Sequence, residues 1–112
     1  MQKKWRLRSP KLFKKVYQEG QHSFNNLLVI HYLSWGGETK IGLSVSKKVG
    51  NAVVRNKVKR RLRAILANVV ENIKAGVLVV FVVRPTAATA SFDQLNVSVI
   101  NLLKKAKLLK EA

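Results

Sequence analysis

The chain is 112 residues long, is 47% hydrophobic, has no cysteine, and carries 22 lysines and arginines against five acids for a net charge of +17. That length and apolar fraction fit one domain, residues 1–112, around a single core, and without cysteine neither a disulfide framework nor a thiolate metal site is available. Solubility alone asks for a net charge of only about 2 to 8, so the excess points to a polyanionic partner.

No run approaches the roughly 18 apolar residues of a membrane span, and Met1 to Arg6 leads into no apolar signal core, so a soluble, cytoplasmic protein without membrane contact is expected. Ser9-Pro10 predicts a first helix, Ser9 capping it and Pro10 preset for its first position, with Gly20 closing it. Within it Leu12 and Val16 make one apolar pair at four-residue spacing and Phe13 and Tyr17 another, so one stripe can face a core while its neighbour borders a groove. Phe24 to Trp35 reads as a strand, and Gly36-Gly37 predicts a hairpin turn to an antiparallel partner at Ile41 to Val45.

From Ala52 to Ile73 the apolar residues Val54, Val58, Leu62, Ile65, Val69 and Ile73 follow the period of an amphipathic helix, which Ala75-Gly76 ends. Val77 to Val83 is apolar on both faces, as a central strand would be, and Arg84-Pro85 stops it. Ser91 caps a last helix whose C-terminal turns gather Lys104, Lys105, Lys107 and Lys110, where cations suit the helix dipole. The expected order is helix, strand, strand, helix, strand, helix, an α+β sandwich with a central mixed sheet.

The segment Lys47 to Arg63 holds eight Lys or Arg in 17 residues and no acid. On a helix Val54, Val58, Leu62 and Ile65 share one side. Arg55, Lys59 and Arg63 then form a basic row, with Asn56 and Arg60 beside it, while Lys47, Lys48 and Asn51 lie ahead of the helix and Lys57 and Arg61 flank the rows. Such a face suits phosphate; Gly50-Asn51 just before the helix gives a turn and a cap, and the free amides of the helix start are themselves an anion site. The stretch Ser44 to Arg63 closely resembles the signature of the ribonuclease P protein family, with Arg55-Asn56-Lys57 standing where the family has Arg-Asn-Arg. The third position keeps a cation but loses the guanidinium fork. Arg6-Leu7-Arg8, the aromatic first helix and the terminal helix also fall in family order.

The resemblance implies a left-handed strand-helix-strand crossover, against the general right-handed rule. It also implies that the signature helix contacts a catalytic RNA and that Phe13, Tyr17 and His31 line a groove for the single-stranded 5′ leader of precursor transfer RNA. On that reading the chemistry belongs to the RNA with its Mg2+ ions, the protein binds no cofactor of its own, and alone it is monomeric. A protein-only metal nuclease would need clustered carboxylates, and the acids Glu19, Glu38, Glu71, Asp93 and Glu111 are scattered singly. His22 and His31 as an acid–base pair lack a motif assigning them roles. A ribosomal protein would share the charge and layout without the signature, and a nucleoid DNA-binding protein would want a helix-turn-helix spacing that is missing. Trp5, Phe24 and Trp35 are expected to serve packing or an interface.

Overall fold

The computed structural model describes residues 2–110; Met1, Glu111 and Ala112, at the two ends of the expected domain, lie outside the described residues. Three helices, α1 (Pro10–Glu19), α2 (Ala52–Val69) and α3 (Phe92–Lys105), accompany four strands, β1 (Gln21–Phe24), β2 (Leu28–Ser34), β3 (Lys40–Ser44) and β4 (Val77–Val83). The sheet runs β1-β2-β4-β3, antiparallel except for the parallel β3–β4 pair. It is therefore a mixed sheet in an α+β single domain, as the sequence implies. Among the described residues no helix is long and apolar enough to cross a membrane.

The helix caps follow the sequence. The Ser9 hydroxyl accepts from the Leu12 amide at 3.3 Å with Pro10 at the first helical position, and the Asn51 side chain accepts from the Val54 amide at 3.0 Å. At α3 Ser91 and Gln94 bond reciprocally, a complete capping box.

Alternation along β4 divides the interior in two. Val77, Val79, Phe81 and Val83 join the larger core with Leu28 and Ile30 of β2 and the buried faces of α2 and α3. Leu78 and Val80 turn the other way, into a smaller cluster with Leu7 and Val16 beneath α1. Being buried on both sides makes β4 the strand that must lie inside the sheet, with a partner along each edge.

That requirement corrects the expected hairpin between the second and third strands: β2 and β3 do not pair, because β4 lies between them. The Gly36-Gly37 link instead steps over the start of β4 and is fastened to it. The Trp35 amide donates to the Gly76 carbonyl at 2.9 Å, while the Thr39 hydroxyl donates to the Lys74 carbonyl at 3.0 Å. Gly36 does adopt a positive φ, of 81°, yet in a bridge between non-neighbours rather than in a hairpin.

The expected strand from Phe24 to Trp35 is also divided. Asn25 breaks it, its side-chain oxygen accepting from the Leu27 and Leu28 amides at 3.1 and 3.0 Å, and so turns the chain into a true β1–β2 hairpin. The signature helix stops at Val69 rather than Ile73 and continues as a 3-10 turn, Val70–Asn72.

Candidate nucleic-acid interface

Two surfaces meet the chemistry expected of a nucleic-acid contact, one cationic and one aromatic. The cationic surface is the outer side of α2 and the turn before it. Val58, Leu62, Ile65 and Leu66 anchor the inner side, leaving Lys47, Lys48, Asn51, Asn56, Lys57, Arg60 and Arg63 exposed and Arg55 and Lys59 half-buried. Among the described residues the ion pairs are Lys15–Glu19 at 3.2 Å and Lys40–Glu38 at 3.4 Å, so no carboxylate neutralises this face. Uncompensated cations on a rigid helix form a field that a phosphate backbone satisfies.

Two of the arginines differ from their neighbours. The Arg61 guanidinium donates to the Ala90 carbonyl at 2.9 Å, tying α2 to the segment that enters α3, so part of its donor capacity serves the fold. The Arg55 Nε is buried with no hydrogen-bond partner in the protein, which leaves this half-buried side chain with an unmet donor.

The aromatic surface lies on the opposite side of the sheet. Register places residues in rows across the strands: His22, His31, Val80 and Gly42 form one, and Phe24, Val29, Val82 and Ser44 the next. Helix α1 covers the first row only in part and leaves the second open, with Val29, Val82 and Ser44 half-buried and Phe24 exposed. The uncovered strip lies beside the α1 aromatics.

Those aromatics are in contact. Phe13 and Tyr17 are stacked with ring centroids 6.5 Å apart, and Tyr17 meets His31 edge-on at 4.8 Å. The structure thus brings together all three residues expected to line the groove. Phe13 is the more deeply set of the two α1 rings, because it rests on Gly42: a Cβ there would lie 2.5 Å from the Phe13 Cζ. Tyr17 is 44% exposed.

His22 belongs to this platform too, its ring 5.9 Å from that of His31. Sequence alone does not place it there, because the cross-strand pairing of His22 with His31 exists only once Gln21–Phe24 forms a strand. Burial first, and electrostatic repulsion from the neighbouring His22 ring second, hold the His31 imidazole below its usual pKa, which favours the neutral ring for stacking near pH 7. Of the remaining aromatics, Trp5 packs on the larger core and Trp35 on the smaller one, with the Trp35 indole donating to the Glu38 carbonyl at 2.8 Å. Phe24 packs on neither; Lys105 lies over its ring at 5.7 Å.

Among the described residues no three His, Asp or Glu side chains gather in one place. The arrangement offers electrostatics on one side of the sheet and stacking on the other.

Comparison with known proteins is concordant along the chain. The family model described as Ribonuclease P matches residues 1–107. A ribonuclease P protein component from Brevibacillus brevis is 34% identical over 114 residues, covering 100% of this chain and 90% of the relative. Another from Caldanaerobacter subterraneus is 40% identical, covering 95% and 92%. Among solved structures, the RNase P protein of Staphylococcus aureus superposes with a TM-score of 0.84 at 28% identity, covering 95% of this chain and 98% of that one. That of Thermotoga maritima gives 0.80 at 28% identity, covering 89% and 96%.

Proposed function

The chain belongs to the ribonuclease P protein family, and from that premise we propose that it acts in transfer-RNA maturation as the non-catalytic subunit of the endonuclease. On this reading α2 and the preceding turn hold the catalytic RNA through Lys47, Lys48, Asn51, Arg55, Asn56, Lys57, Lys59, Arg60 and Arg63, with Arg61 sharing its donors between RNA and the fold. Phe13, Tyr17 and His31 receive the 5′ leader of the precursor, whose bases stack on the rings without a demand for sequence. The Mg2+ ions and the hydrolytic chemistry belong to the RNA, and the protein, monomeric on its own and cytoplasmic, raises affinity for substrate and metal through its field.

The observation that carries this reading is the continuous Phe13–Tyr17–His31 contact beside an uncovered strip of sheet. A core would have closed over such rings. The ribosomal and nucleoid alternatives share the charge but ask for no platform of this kind. Reconstitution tests it: protein freed of RNA should leave precursor transfer RNA intact, and adding it to the catalytic RNA should restore leader removal at magnesium concentrations too low for the RNA alone. Site-specific cleavage by RNA-free protein, or no effect on the RNA, would refute the proposal.

A further inference from the structure

The N-terminal segment runs along the outer edge of β3. Arg6 bridges to Ile41 in parallel, and the Leu7 amide donates to the Ile41 carbonyl at 2.8 Å. Leu7 is buried in the small cluster beneath α1, so alternation sends its neighbours Arg6 and Arg8 toward the other side. There they meet Arg63 of α2 around a cleft of about 310 Å³ floored by β3 from Ile41 to Leu43.

Three guanidinium groups around one concavity repel each other unless an anion joins them. Among the described residues no carboxylate comes within 4 Å of any of the three. The Arg6 Nε is in addition buried without a hydrogen-bond partner in the protein, so one donor of the cluster is unmet. Arginine's planar fork matches the paired oxygens of a phosphate. The volume equals about ten waters at ~30 Å³ each, room for a phosphate and part of its hydration shell.

We propose that Arg6, Arg8 and Arg63 form a clasp for one RNA phosphodiester at the seam between the N-terminal segment, β3 and α2. The clasp adds Arg6 and Arg8 to the binding surface and connects its two halves. Gly42 lines the clasp and also supports the Phe13 ring, so the phosphate lies across a single strand from the aromatic platform. The source of the phosphate is either the catalytic RNA along α2 or the leader leaving the groove. The inference rests on the RNA-binding reading for that source alone.

Two measurements on the full chain test it. Inorganic phosphate, titrated while the Arg6 Nε–H resonance is followed by NMR, should shift that signal saturably, and Arg8→Ala should weaken the binding by roughly five- to tenfold while leaving the backbone amide spectrum in place. Binding of a leader oligonucleotide and of the catalytic RNA should then be measured against salt. Arg8→Ala should flatten the slope of log affinity by about 0.7 for a single-stranded contact or about 0.9 for a duplex one, and the RNA whose slope changes is the phosphate's source. An Arg6 signal that phosphate leaves unmoved would overturn the clasp, and unchanged slopes for both RNAs would overturn its assignment to RNA. Failure of the wild-type chain to bind either RNA would instead count against the proposed function, and the phosphate titration is independent of that result.

Discussion

Replacing Tyr17 by Ala separates stacking from packing, because the ring is exposed enough to lose without emptying a core. A fully buried aromatic costs about 3 to 5 kcal/mol on truncation. Tyr17 is 44% exposed and its ring contacts are Phe13 and His31, so the expected loss of stability is about 1 kcal/mol, close to the value of the aromatic pairing alone. Its loss to leader binding should be larger, about 1 to 3 kcal/mol, which corresponds to roughly 5- to 150-fold in affinity. The assay compares holoenzyme affinity for precursor transfer RNA carrying its leader with affinity for mature transfer RNA, and Tyr17→Phe serves as the control that keeps the ring. The leader-bearing substrate should weaken selectively, with Tyr17→Phe near wild type. Equal weakening of both substrates with an unchanged melting temperature would place Tyr17 against another part of the complex, and a large drop in melting temperature would make it a packing residue.

Lys57→Ala combined with Arg60→Ala, at two exposed positions of α2, should flatten the slope of log affinity for the catalytic RNA against log salt by about one to two units; an unaltered slope would mean that this face looks into solvent. Gly42→Ala brings a Cβ within 2.5 Å of the Phe13 ring, so the ring must swing outward. A stability loss of about 1 to 3 kcal/mol together with weaker leader binding is expected, and a variant with wild-type melting temperature would show that Phe13 does not rest there. His31 has a folded-state pKa below its unfolded value, so between those two values the unfolded chain binds more protons; its contribution to stability is complete above about pH 6.5 and falls as the pH drops toward the folded-state value. His22→Gln removes the secondary, charge-based part of that shift and should shrink the loss, as pH-dependent melting curves would show.

What the sequence made legible follows from how local each signal is. Caps at Ser9, Asn51 and Ser91 need only three residues of context, and the inner row of α2 needs only a 3.6-residue period, so the three helices and the basic surface could be read directly. Strand pairing is not local. Gly36-Gly37 is the composition of a hairpin turn, and only the double-sided burial of β4 forces it to become a bridge over a strand that lies 40 residues further on, near Val77. The short strand at Gln21–Phe24 carries no alternation long enough to detect, so the hairpin made by Asn25 escaped, and His22 with it. The same reason explains the clasp: the sequence sets Arg63 in the basic row of α2 and Arg6 and Arg8 near the other end of the chain, and the three become one site only because the N-terminal segment adds to the edge of β3 beside α2. The two sides of the sheet therefore depend on each other. One strand, β3, supports the Phe13 ring through Gly42 and floors the arginine cleft, so a change in its register would disturb stacking and phosphate contact together, and variants there should lose both forms of binding at once.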